Sequence, residues 1–151
     1  MSSKGLKAKA SHNFSSKVIM KAIDTEMTSV ILDTSITFQT MVKKLLNMFG
    51  PGDPSKPGES PHKQSGNLGR SWGVQVSKAQ VKKVGSNRKL RIGSNLDYAY
   101  FLEEGTENML ARPYISVVLK DKKFKSWVNK RVKMAKGRIS KSVINLSKAN
   151  N

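Results

Sequence analysis

The chain has 151 residues, the length of one ordinary domain. It carries 28 Lys and Arg against 10 Asp and Glu, a formal charge of +18, so its copies repel one another unless a polyanion or an acidic neighbour screens them. The lack of cysteine excludes disulfide staples, thiolate zinc sites and thiol nucleophiles together, and no run approaches the roughly 18 apolar residues of a membrane span.

The charge is unevenly placed. Residues 18–49 balance three lysines against Asp24, Glu26 and Asp33, whereas residues 113–151 hold eleven Lys and Arg and one acid, Asp121. The two ends of the chain should therefore meet different neighbours.

Residues 1–13 are small, polar and basic, and read as a flexible arm ahead of a single domain over 14–151. From Val18 the apolar residues Ile19, Ile23, Met27, Val30, Phe38, Met41, Leu45 and Phe49 follow steps of three and four, with Thr34 in the one gap. That is the face of an amphipathic helix, capped by Asn13, Ser15 or Ser16 and stopped by Gly50-Pro51. Unbroken, it would be about 45–50 Å long, long enough to pack partly on another subunit. The alternative is a core helix broken near the β-branched residues 34–37. Residues 50–66 hold four of the five prolines and four glycines, and read as an extended, solvated loop that neighbours would order.

From Ser71 the period changes to two, with Trp72, Val74 and Val76 on one face, which predicts a strand. Residues 81–84 continue the ribbon, Gly85-Ser86-Asn87 supplies a turn, and residues 89–93 alternate again, giving a hairpin-like antiparallel pair. Residues 97–102 form an apolar patch that is either a short helix or a strand. Arg112-Pro113 opens a second long helix, with proline at its first position, whose apolar residues run from Ile115 to Leu146 and whose other face is Lys and Arg; Gly137 is its weak point. The order predicts an α+β fold: a long N-terminal helix, a small antiparallel β-sheet and a long basic C-terminal helix.

The search for chemistry is negative. No phosphate-cradling, nucleophile-elbow, zinc-protease or calcium-loop motif is present, and His12 and His62 lie in polar stretches without a second ligand at metal spacing. Glu103 and Glu104, the one adjacent acid pair, suit a turn or an intersubunit contact better than acid–base catalysis. The expectation is no enzyme, no catalytic residue, no metal and no cofactor. The basic helix is the strongest physical signal. Lys120, Lys122, Lys123, Lys130, Arg131, Lys133, Lys136, Arg138 and Lys141 are candidate contacts to DNA or to a partner, through phosphates and without base readout.

Three local features occur in order. Ser65-Gly66-Asn67-Leu68-Gly69-Arg70-Ser71 comes after the proline loop; Ile92-Gly93-Ser94 precedes Tyr98-Ala99-Tyr100-Phe101-Leu102-Glu103-Glu104-Gly105-Thr106; and Ala111-Arg112-Pro113-Tyr114 opens the last helix. Over about residues 61–119 the chain resembles the small neck and tail-completion proteins of long-tailed bacteriophages. The resemblance implies a structural virion protein of the neck or tail end, assembled in the host cytoplasm. It implies a homo-oligomeric ring joining head and tail, with connector, tail-terminator or tail-tube proteins as neighbours and non-specific DNA contact in the channel. It also implies that Ser65, Gly66, Leu68, Tyr98, Ala99, Glu103, Gly105, Thr106, Arg112 and Pro113 form a structural corner, of which the part from Tyr98 to Thr106 with Arg112-Pro113 is expected to be buried. The competing reading is a free-standing, sequence-independent nucleic-acid-binding protein; under either reading no membrane partner is expected.

Overall fold

The computed structural model describes residues 16–48, 50, 52–72, 82–84, 87–89 and 91–148. The elements run α1 (Ser16–Leu46), α2 (Asn67–Ser71), β1 (Lys82–Val84), β2 (Asn87–Lys89), α3 (Tyr98–Glu104), α4 (Ile115–Lys120) and α5 (Lys122–Lys148). The expected basic arm, the caps Asn13 and Ser15, Phe49, Pro51 and the strand residues Val74 and Val76 lie outside the described residues.

The α+β expectation is corrected. Helices account for most of the described residues, and the one described ladder pairs only Lys82 with Lys89, Lys83 with Arg88 and Val84 with Asn87. Two three-residue strands are too short to form a sheet layer, although β2 touches α1, so the architecture is helix on helix. The strand predicted from Ser71 fails at its start: Ser71 ends α2, and Trp72, its C-cap, is 1% exposed in the core. Of the residues that carry the alternation only Trp72 is described, and it is a buried aromatic just beyond a one-turn helix.

α1 is continuous for 31 residues, about 46 Å, so the alternative of a break near 34–37 is not what the chain does. Thr25, Thr28 and Thr40 return their hydroxyls to the carbonyls four residues back, satisfying themselves within the helix. The helix ends at Leu46, before the expected Gly50-Pro51 stop, where the Asn47 side chain donates to the Lys43 carbonyl. Its deepest positions are Val42 and Leu46, one residue on from the predicted Met41 and Leu45. α1 touches α5, α2, α4 and β2, so its apolar stripe serves more than one helix contact.

The second long helix is two. Asp121 leaves the helical region (φ −60°, ψ 127°), and its Oδ1 accepts from the backbone N–H of Lys123 and Phe124, capping α5 afresh. Pro113 is not the first helical residue; Tyr114 is the N-cap of α4. α5 then runs without interruption through Gly137.

α1 and α5 lie antiparallel, as their contacts show: Phe38 meets Phe124 at 5.7 Å between ring centroids, Asp33 meets Arg131, and Glu26 meets Arg138 at 2.9 Å. The core gathers at one end of this pair. It comprises Val42, Leu46, Leu68, Trp72, Ala99, Tyr114, Val118 and Phe124, with Phe38 and Tyr114 both edge-on to the Trp72 indole. Those steeply crossed rings bury large apolar area in a favoured aromatic geometry.

Candidate functional site: a capped corner and a lysine face

The motif residues converge around α3. Phe101 to Glu104 lead into Gly105, whose φ of 82° is a left-handed value and whose missing Cβ would sit 2.8 Å from the Met109 carbonyl oxygen and 2.9 Å from the Ala111 nitrogen. Only glycine fits that turn without displacing backbone. Thr106 and Met109 close it with a two-way backbone bridge, and the Arg112 N–H donates to the Leu102 carbonyl at 2.7 Å. The chain is thereby returned alongside α3.

Glu103 is the centre of the corner. One carboxylate oxygen accepts from the N–H groups of Tyr114 and Ile115 and the other from that of Ser116, each at 2.8 Å. These are orphan donors at the start of α4, so the carboxylate serves as its cap from eleven to thirteen residues away. Burial acts to raise the Glu103 pKa, but the three backbone donors outweigh it and hold the carboxyl below the ordinary glutamate range. The Tyr114 hydroxyl donates to the Ala99 carbonyl at 3.2 Å; burial first, and the Glu103 charge second, push this phenol up to about 12.

The loop ahead of α2 is fastened to this corner. Gly58 N–H donates to the Ala111 carbonyl and Ser60 Oγ to the Pro113 carbonyl at 2.7 Å, while Ser55 is buried. His62 Nδ1 lies 3.0 Å from the Asp53 carbonyl oxygen. The loop is thus tied to its own subunit at several points, where the sequence predicts an extended solvated stretch. Ser65, Gly66, Leu68, Tyr98 and Arg112 line a cavity of about 140 Å³ with Leu46 and Leu102. Gly66 takes a left-handed turn (φ 76°) into α2, and Arg70 folds back to donate to the Ser65 carbonyl and to Asn67 Oδ1. The Arg112 Nε is buried without an acceptor among the described residues.

The corner is less buried than the sequence implies. Tyr98 is 43% and Phe101 47% exposed, and Tyr100 reaches 67%. The enclosed aromatics are Trp72 and Tyr114 instead. In the sequence Tyr114 stands at the edge of the arginine-proline motif and Trp72 within an apparent strand; the signal that identifies both is large apolar volume beside a chain reversal.

The basic residues of the last helix separate into two groups. Arg131 is paired with Asp33 and donates to Ser29 Oγ at 2.8 Å, and Arg138 spans both oxygens of Glu26 at 2.9 Å, so both arginines face α1. Asp33 and Glu26 lie seven residues apart, as do Arg131 and Arg138, and that matched spacing is the legible sign of the seam. Lys120, Lys122, Lys123, Lys125, Lys130, Lys133, Lys136 and Lys141 are all exposed, and none forms an ion pair among the described residues. Among the same residues no group of three or more His, Asp or Glu is placed to hold a metal, and no helix is long and apolar enough to cross a membrane.

Residues 38–105 match the model of the HK97-gp10-like family, described as "Bacteriophage HK97-gp10, putative tail-component". No curated protein and no solved structure matches the chain. The matched segment spans the core end of α1, the loop, α2 and α3, ending at the Gly105 turn. The match covers less than half of the chain, and over that segment the chain is similar to a family described as a phage tail component.

Proposed function

We propose that the protein is a ring-forming structural component at the phage neck or tail end, joining head to tail and contacting DNA along the outer face of α5. The observation that carries this reading is the division of the basic residues: the arginines are used within the fold, and the lysines are left facing outward over a helix about 40 Å long. Duplex DNA presents about one charge per 1.7 Å of axis, so a stripe of that length meets many phosphates without reading a base. A ring repeats the stripe in each subunit and multiplies weak contacts. The corner around Glu103 acts as a rigid structural element, the domain over 14–151 as one unit with residues 1–13 as an arm, and no catalysis or cofactor is assigned. Connector, terminator or tube proteins are its neighbours in the virion.

Replacing Lys130, Lys133 and Lys141 by Gln tests the DNA contact. Affinity for duplex DNA should fall, with a shallower salt dependence and no sequence preference before or after. Unchanged affinity at low salt together with failed joining of tails to heads would assign the stripe to an acidic protein partner. Unchanged affinity with normal joining would remove it from function altogether.

A further inference from the structure

The chain of charge +18 contains two stretches of the opposite sign, and in the first, residues 22–42, Glu26 and Asp33 are paired with the arginines of α5. The second, residues 92–111, holds Asp97, Glu103, Glu104 and Glu107 and no Lys or Arg. Glu103 is consumed by capping α4, but Asp97, Glu104 and Glu107 are exposed. Beside them stand the exposed rings of Tyr100 and Phe101, edge to face at 5.8 Å, and across from these Leu119 of α4 is 49% exposed. Asp97, Glu104, the two rings and Leu119 border an open groove of about 620 Å³, lined also by Trp72, Tyr114 and Ile115, and Glu107 follows three residues beyond Glu104, outside that lining. Aromatic side chains rimmed by like charges form the anatomy of an interface whose partner carries the opposite charge.

The chain itself supplies such a partner surface. Lys120, Lys122, Lys123 and Lys125 crowd the junction of α4 and α5, and the first turn of α5 holds no acid. Cations there oppose the positive end of the helix dipole, and Asp121 alone counters them. Glu104 sits at the C-terminal end of α3, where no basic residue offsets it. Neither cluster forms an ion pair among the described residues, and the two are of complementary charge.

We propose that the acidic, aromatic groove between α3 and α4 docks a second copy of this chain at the lysine cluster where α5 begins. The inference rests on the self-assembling reading and names its contact. α3 covers about 10 Å and the lysine face about 40 Å, so a docked neighbour occupies only one end and leaves Lys130, Lys133 and Lys141 open to DNA.

The test uses the full chain in sedimentation velocity at low and high salt. The wild type should associate at low salt and dissociate as salt screens the contact. Glu104→Lys with Glu107→Lys, and separately Lys122→Glu with Lys123→Glu and Lys125→Glu, should each weaken association by about tenfold or more. All these positions are exposed, so unchanged circular dichroism is expected, and Tyr100→Ser supplies a charge-neutral second probe with the same direction of effect. Mixing the two charge-reversed proteins should restore association. A monomeric wild type, association indifferent to the acidic reversal, or no recovery on mixing would overturn the proposal. A lysine reversal that loses DNA binding while self-association persists would do the same and assign that cluster to the polyanion. The proposed DNA contact is judged separately, on the Lys130, Lys133 and Lys141 variant, so either can fail alone.

Discussion

Glu103 and Glu104 are adjacent and chemically identical, yet only one should matter to folding. Glu103→Ala removes the acceptor of three backbone donors at the start of α4. A single lost helix cap costs about 0.5–2 kcal/mol, and a net bond to a charged group about 1.5–3. The site is part-exposed, so water recovers some of the loss, and the expected cost is about 2–4 kcal/mol rather than the full sum. For a chain of this size that corresponds to a fall in Tm of roughly 5–15 °C, read by calorimetry. Glu104→Gln should shift Tm by no more than about 1–2 °C. The pH dependence supplies a second arm. The folded-state pKa of Glu103 is depressed, so its stabilisation is present above the unfolded glutamate value, about 4.3, and is lost as pH falls through the folded value. Glu103→Gln should therefore flatten the acid limb of the stability curve relative to wild type. A Glu103→Ala protein within about 0.5 kcal/mol of wild type, or an unchanged acid limb in Glu103→Gln, would refute the capping argument.

Gly105→Ala should cost about 3 kcal/mol or more, since the Cβ meets backbone at 2.8 Å and the φ of 82° resists any side chain; a neutral result by urea titration would contradict the turn. Gly137→Ala, where a Cβ meets nothing within 4 Å, should raise stability by about 0.5–1 kcal/mol, and a lower Tm would count against a continuous α5. Asp33→Ala should cost more than Glu26→Ala, about 1–3 kcal/mol against less than about 1, because the Arg131 side chain is 14% exposed and that of Arg138 43%. Equal losses would mean the depth of the seam has been misjudged. Arg112→Met should be near neutral, since the buried Nε it removes has no acceptor, and a loss above about 2 kcal/mol in denaturant would refute that.

How much of the fold is legible in the sequence depends on how local each signal is. The long N-terminal helix can be read because 31 residues repeat one period, and the glycine at 105 because a turn needs it. Residues 97–102 cannot be assigned from their pattern, because a short apolar-rich run satisfies either period; α3 is settled by Glu103 capping α4 and by Arg112 bonding back to Leu102. The split at Asp121 is hidden, as one acid in a lysine-rich helix reads as surface charge until its Oδ1 is seen on two backbone donors. The fold class fails for a related reason. Short alternating stretches suggest a sheet layer, but nothing in the pattern around Trp72 distinguishes a strand from a buried ring beside a single helical turn.

The division between arginine and lysine on α5 links the fold to its proposed use. A seam half-hidden from water demands a cation whose charge persists on desolvation and which offers several donors; Arg131 reaches Asp33 and Ser29 from separate nitrogens, and the Arg138 Nε–H is shared between both oxygens of Glu26. Lysine, compact and strongly hydrated, is poorly suited to that seam but suited to a surface that must stay soluble and exchange counterions. Had the lysines been the residues holding α1 to α5, the positive face would be an internal matter and the charge of +18 would have no outward consequence. Because Arg131 and Arg138 hold the seam alone among the described ion pairs between these helices, the lysines can be neutralised without loosening it. Binding and folding are then separable on one helix, and that separation makes lysine-to-glutamine substitutions a test of contact rather than of stability.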